Sequence, residues 1–208
     1  MRTHERRAVS VATAVLLLVA MTSCADDGGD DPAASGSKTP SSPTPTTSSP
    51  TPQSDSEKAT DAASAVLRRY YVVRNQLRQH PDRALRLLTS VAISTELAAQ
   101  QNLFKQERKE GLHQLGETKV AKLRVRSVNL DNSDPQAGKV PTVQIDLCFD
   151  VTDVDVMDAQ GKSVVKTDRP DTGWIRFLVS NYHWDDDPDG GWRVASSQDI
   201  ERTRCDAS

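Results

Sequence analysis

VQIDLCFDV, residues 143 to 151, alternates without interruption: Val143, Ile145, Leu147, Phe149 and Val151 share one side, and Gln144, Asp146, Cys148 and Asp150 the other. A period of two places successive side chains on opposite faces of an extended chain, so this stretch reads as a strand with one face on a core. After Thr152 the apolar positions change phase, with Val154 and Val156 on even numbers. An extra residue inserted in a long strand produces that shift, which predicts a bulge and a bend. Upstream, Leu123 and Val125 alternate with Lys122, Arg124 and Arg126, and then Val128 and Leu130 fall out of phase. A second bulge is therefore expected near Ser127. Downstream, strands are expected from Trp174 to Trp184 and from Trp192 to about Ile200, with DRPD (168–171) and DDDPDGG (185–191) as turns.

The region before these strands has a helical period. Ser54 and Glu57 are spaced as a capping box, and Ala59, Ala62, Ala63, Val66, Tyr70, Val73 and Leu77 recur at steps of three and four. Arg68, Arg69, Arg74 and Arg78 lie mostly off that stripe, as a solvated face does. His80-Pro81 ends the helix, and Pro81 suits the first turn of a short helix from about Arg83 to Leu88. A longer helix is expected from about Thr95 to Glu110, capped by Ser94, stopped by Gly111, and turning Ile93, Leu97 and Phe104 inward. Helices first and antiparallel strands afterwards give an α+β class: N-terminal helices packed on a curved, mostly antiparallel, four-stranded sheet.

The N-terminus is of another kind. Arg2, Arg6 and Arg7 precede an apolar run from Ala8 to Met21, followed by Met21-Thr22-Ser23-Cys24. The run is short for a bilayer span and sits behind a basic start. It resembles a bacterial lipoprotein signal, in which small residues precede a cysteine that becomes the lipidated N-terminus; Met21 stands where such signals usually carry an aliphatic residue. The resemblance implies a signal peptide over 1–23, lipidation of Cys24, and anchoring on the extracytoplasmic face of the cell membrane. Residues 24–56 hold almost nothing apolar and are dense in Pro, Ser, Thr, Gly and Asp. Such a segment cannot bury enough surface to offset its ordering entropy, so a disordered tether is expected. Extended at about 3.1 Å per residue it reaches on the order of 90 Å. The α+β domain is then 57–208.

Of the three cysteines, a lipidated Cys24 leaves Cys148 and Cys205 as an even pair in an oxidising compartment, which predicts one disulfide. Asp146 and Asp150 share the polar strand face with Cys148, while Lys122, Arg124 and Arg126 line the polar side of another strand. If the two strands are neighbours, these charges oppose one another and help to set register.

LCFDVTDVDV (147–156) and SNYHWDDDPDGGWRV (180–194), together with the element order, resemble the nuclear transport factor two-like superfamily, of the SnoaL-like or cystatin-like cone type, and a group of actinobacterial surface lipoproteins built on that plan. The resemblance implies a curved sheet wrapped around the N-terminal helices. The superfamily includes isomerases, dehydratases and non-catalytic binding domains, so fold analogy leaves the function open.

Ile175, Phe177 and Val179 share a strand face with Asn181 and His183. An inward orientation places Asn181 and His183 at the mouth of the cone's pocket, on the face that carries Phe177, with the Tyr70 hydroxyl added from the helix stripe. His183 is then the candidate acid or base of a cofactor-free isomerase or hydratase. The other role for His183 is a strand-end histidine bonded to the hairpin loop, and no inward carboxylate accompanies it. His80 and His113 read as loop or helix-end residues. Asp185, Asp187, Asp189 and Gly190 have the spacing of the first half of a calcium loop, as in a calcium-stabilised adhesion module. The glutamate that completes such a loop is replaced by Ser196, and Asp-Pro-Asp-Gly-Gly is also a turn sequence. Trp174, Trp184 and Trp192 stand at or near strand ends, where two of them serve as core and turn packing.

The net charge of −3 comes from acidity spread through tether and turns, which argues against a nucleic-acid partner. No motif requires a cofactor. The expectation is a membrane-anchored extracytoplasmic lipoprotein whose domain binds without chemistry, its partner either a cell-envelope protein or a small apolar ligand.

Overall fold

A computed structural model describes residues 52–200 and Cys205. The expected signal peptide, Cys24 and all but the last residues of the expected tether lie outside the described residues. No helix among the described residues is long and apolar enough to cross a membrane.

Helix α1 spans Asp55–Gln79 and begins with the expected capping box: Ser54 Oγ accepts from the Glu57 N–H, and the Glu57 carboxylate accepts from the Ser54 N–H at 2.8 Å. These reciprocal bonds satisfy otherwise orphaned donors of the first turn. The helix thus starts two residues inside the stretch assigned to the tether. Ala59, Ala63, Val66, Leu67, Tyr70, Tyr71 and Leu77 are its buried apolar residues, and Asn75 is buried with them. Pro81 sits in a turn rather than in a helix, and a 3-10 turn follows at Leu85–Ser90. Helix α2 spans Ser94–Lys109.

Ser94 is not the cap of α2. It is the first helical residue, at φ +56°, and Ile93 holds the cap position without a side-chain bond. The backbone explains the difference. The Ile93 N–H donates to Val194 O, and the Val194 N–H donates to Val91 O, so α2 is launched from a bridge to the last strand. Gly111, at φ +72°, ends the helix as expected, since a residue without Cβ adopts the left-handed region at little cost.

Six strands follow: β1 His113–Leu115, β2 Lys119–Asn129, β3 Thr142–Asp150, β4 Asp155–Met157, β5 Thr172–Asn181 and β6 Trp192–Asp199. Four form an antiparallel sheet in the order β2-β3-β5-β6, and β1 pairs with β4 in a separate two-stranded ribbon. The bulge expected near Ser127 is present as a register shift between Val125 and Ser127, and a second shift lies between Val120 and Lys122.

The bulge expected after Thr152 is absent, because β3 stops at Asp150 instead of bending on. The Asp150 carboxylate accepts from the Thr152 N–H and hydroxyl, which turns the chain. Beyond the turn the chain passes Gly116 so closely that a Cβ there would lie 1.9 Å from Asp153 O. β4 then pairs with β1, so His113 opens a strand rather than sitting in a loop.

The odd-numbered face of β3 packs on α1. Val143, Ile145 and Leu147 are fully buried with Phe177, Val179, Trp192 and Val194, whereas Phe149 is only half-buried. Each fully buried side chain of this size contributes about 1.5–3 kcal/mol. A second cluster of Leu77, Leu88 and Phe104 holds α2 to α1.

On the opposite face the Cys148–Cys205 disulfide, with Cα atoms 6.0 Å apart, packs with Trp174 and Ile200. Arg124 lies 4.7 Å from the centre of the Trp174 ring. The expected charge pairing across β2 and β3 is realised, with Arg124 opposite Asp146 in register. The closest cation comes from β5, however: Arg176 grips Asp146 in a bidentate contact at 2.7 and 3.1 Å, with Arg126 at 3.7 Å.

Candidate functional site

The two ends of the cone are built differently. At the end where β5 runs into β6, Trp184 and Trp192 meet edge to face at 6.0 Å, and Trp192 Nε1 donates to Pro188 O at 2.9 Å. Asn181 is fully buried there. Its amide donates to Asp187 O at 2.7 Å and Pro188 O at 3.3 Å, and its Oδ1 accepts from the His183 N–H at 2.8 Å. Gly191 makes room for this lock, since a Cβ there would lie 2.2 Å from Asn181 Oδ1. Asn181 therefore fastens the hairpin, and His183 is exposed outside the cone.

The mouth lies at the other end of β5. A cavity of about 200 Å³ is lined by Tyr71, Arg74 and Arg78 of α1, by Phe149, Val151 and Ile175 of the sheet, and by Thr118 at the rim. Steps of three and four place Tyr71, Arg74 and Arg78 on one helix face. Asn75, buried beside them, fixes the rim: its amide donates to Thr118 O at 3.0 Å, and its Oδ1 accepts from the Thr118 N–H at 3.1 Å. Gly173 is opposite Phe149 in register, and a Cβ on it would lie 2.6 Å from the Phe149 ring. The ring lies over the glycine backbone and stands as one wall of the cavity.

The cations of the mouth differ in their partners. Arg78 donates to Glu107 at 2.6 and 3.2 Å and lies over the Phe104 ring. Burial lowers its pKa, and neighbouring Arg74 lowers it further, against the pull of Glu107. Arg74 lies over the rings of Tyr70 and Tyr71, at 5.3 and 5.4 Å from their centres. Burial opposes its charge, but Tyr70, Tyr71, Glu96 and Glu107 outweigh that, and its pKa is raised. Its Nε is buried without a hydrogen bond, and among the described residues no carboxylate pairs with it.

The two tyrosines diverge as well. The Tyr70 hydroxyl donates to the buried Glu96, which also accepts from Gln100 at 2.9 Å. Burial is the main cause that raises the Tyr70 pKa far above the usual range. The Tyr71 hydroxyl is buried without a well-aligned hydrogen bond, Arg74 being the group that draws on it, and burial pushes its pKa up to about 12 although Arg74 draws it down.

Of the four residues expected in the pocket, none lines the mouth. Tyr70 is committed to Glu96, and Phe177 is buried in edge contact with Tyr70 and Tyr71 at 5.9 and 6.2 Å. Asn181 and His183 belong to the hairpin end. The face of β5 is as expected, but not the end at which it opens. The calcium candidates do not converge either. Asp187 accepts from the Gly190 N–H at 2.8 Å as a turn, Asp185 accepts from Asn132 at 3.0 Å, and Asp189 is exposed. Among the described residues no group of three or more His, Cys, Asp or Glu is placed to hold a metal ion.

Tyr71, Arg74, Arg78 and Thr118 were not expected here. Arg68 and Arg69 are exposed as a solvated face requires, but Arg74 and Arg78 turn toward the sheet. The available signal was the Tyr71-Arg74-Arg78 row, one step round from the Tyr70-Val73-Leu77 stripe.

No family model matches the chain, and no curated protein matches it. Among solved structures, the chain is similar to the intermembrane space region of the chloroplast protein ARC6, at 17% identity and a TM-score of 0.48, over 73% of this chain and 100% of that one. Similarity at this level assigns no function.

Proposed function

We propose that this chain is a lipid-anchored protein of the extracytoplasmic face whose cone domain binds a small molecule at its mouth without transforming it. One observation carries the binding reading: the mouth joins an apolar wall of Phe149, Val151 and Ile175 to polar groups of α1 that the fold leaves unsatisfied. Ligand sites characteristically combine a mostly apolar lining with a few placed polar groups. The titratable groups lining the mouth favour binding over acid–base chemistry. Two are guanidiniums, which stay protonated, and Tyr71 is held up to about 12 by burial, so none exchanges a proton near neutral pH. At about 200 Å³ the cavity is smaller than the roughly 300–1,000 Å³ of drug-sized sites, so the ligand is small.

The anchoring rests on the Arg2–Cys24 signal. Cys24→Ser should move the full-length protein from the membrane fraction to the soluble extracytoplasmic fraction and remove a lipid-sized mass from its N-terminus. A variant that stays in the membrane would sink that half of the proposal. For the pocket, amide shifts should be followed while small apolar and amphiphilic compounds are added. Shifts centred on Thr118, Val151 and Ile175 are expected; shifts confined to other surfaces would remove the mouth as a binding site.

An envelope-protein partner is the second reading, favoured by one surface. Val156, Val164, Val165 and Pro170 line a shallow apolar hollow beside β4, with Lys166, Asp168 and Arg169 around it, and Val164 is 49% exposed. Exposed apolar patches with polar rims mark contact surfaces.

A further inference from the structure

The polar groups of the mouth define the chemistry of its ligand more closely than its volume does. Four charged groups surround the α1 side of the cavity, and three are already engaged. Arg78 and Glu107 hold each other, and Glu96 accepts from Tyr70 and Gln100. That leaves the guanidinium of Arg74, which lies over the faces of Tyr70 and Tyr71 and draws on the Tyr71 hydroxyl, and with which no carboxylate forms an ion pair among the described residues. Aromatic faces attract a cation but accept no strong hydrogen bond, so the buried Nε–H keeps an unused donor. The Tyr71 hydroxyl, in a residue only 3% exposed, is a second unused group. A buried donor without a well-formed partner is unfavourable, because it has given up its hydrogen bonds to water. Both residues line the cavity, and an acceptor that enters it and is met by a small turn of these side chains accounts for the two groups together.

We infer that the mouth takes a small carboxylate with a short apolar body, its two oxygens accepting from Arg74 and from the Tyr71 hydroxyl, and its apolar part lying against Phe149, Val151 and Ile175. This rests on the mouth being a ligand site. Three features select a monoanionic carboxylate within that reading. Only one cation lacks a paired carboxylate, which matches one negative charge and not two. The unused donors match the two oxygens of a carboxylate, and a planar guanidinium suits that group. The opposite wall is apolar, so the rest of the ligand must be too.

The test uses the full-length chain with hexanoate and its neutral counterpart hexanamide, followed by titration calorimetry and by amide shifts at Thr118, Val151 and Ile175. Hexanoate should bind at the mouth at least about tenfold more tightly than hexanamide, the difference expected of a charge-assisted bond. Arg74→Met should abolish that preference. Tyr71→Phe keeps the ring and should weaken hexanoate several-fold with little effect on hexanamide. Arg74→Lys, which keeps the charge, guards against a folding defect and should retain part of the preference. Equal binding of the two compounds at the mouth would overturn the carboxylate assignment while leaving the site itself standing. Binding of neither would overturn both, as would hexanoate shifts elsewhere on the surface. Undiminished hexanoate preference in folded Arg74→Met would overturn the role given to Arg74.

Discussion

Breaking the Cys148–Cys205 bridge tests the thermodynamic account of this small domain most directly. The cross-link joins residues 57 apart in sequence, from near the C-terminal end of β3 to the tail. With a loop of about 57 residues, the chain-entropy relation gives a loss of roughly 14 cal/mol/K in the denatured ensemble, or about 4 kcal/mol at 25 °C. The native state adds a smaller local contribution, since the tail cysteine helps cover Trp174, which is 6% exposed. Domain stabilities are about 5–15 kcal/mol, so this one bond supplies a quarter or more of the total. Urea unfolding should be recorded with intact and with fully reduced protein, and again with Cys205→Ser. Thiol titration should confirm the redox state, and tryptophan fluorescence should report unfolding. The expected loss is about 4 kcal/mol, which corresponds to a melting temperature lower by roughly 8–16 °C. The denaturant slope should rise as well, because the reduced unfolded chain is less compact. If reduction is complete and the melting temperature falls by less than about 3 °C, the loop-entropy argument fails for this fold.

Phe104→Ala empties the centre of the Leu77-Leu88-Phe104 cluster, where Phe104 is 1% exposed, and should cost about 3–5 kcal/mol in urea unfolding; a loss under about 1 kcal/mol would show that α2 is held by other contacts. The Tyr71 pKa is raised from 10.0 to about 12 by burial, so its share of stability is fully present below pH 10 and is lost as pH rises through 12. Unfolding followed from pH 9 to pH 12 should therefore show falling stability, with Tyr71 phenolate absorbance appearing only together with unfolding. Gly173→Ala places a methyl group 2.6 Å from the Phe149 ring and should turn that ring into the mouth; the cost is about 1–3 kcal/mol, and a structure of the variant with the ring unmoved would refute the close-approach argument.

The sequence was most legible where one period ran undisturbed. The alternation of residues 143–151 placed Val143, Ile145 and Leu147 inside, and the Ser54-Glu57 spacing marked the start of α1 correctly. The phase change after Thr152 misled because a turn and a bulge leave the same trace in a hydrophobic pattern. What separates them is the contact with Gly116, a residue 37 positions earlier. The candidate site was hidden for a related reason. Periodicity identifies the inner face of β5 but says nothing about which end is filled by Trp184 and Trp192. Arg74 and Arg78 looked like solvent residues because charge is usually hydrated. Only the packing of α2, which brings Glu107 to Arg78, shows otherwise.

Helix α1 has one further consequence, a mechanical one. Its first turn lies against the β5–β6 hairpin, where Asp55 and Lys58 share a surface with Trp184 and Asp185, and its last third carries the mouth. At 1.5 Å per residue, roughly 30 Å of helix separates Ser54 from Arg74. The described chain therefore enters the domain beside the β5–β6 hairpin, and the cavity of Tyr71, Arg74 and Arg78 lies toward the other end of the same helix. A load applied at Ser54 would act along α1, whose apolar residues share one core with Trp192 and Val194.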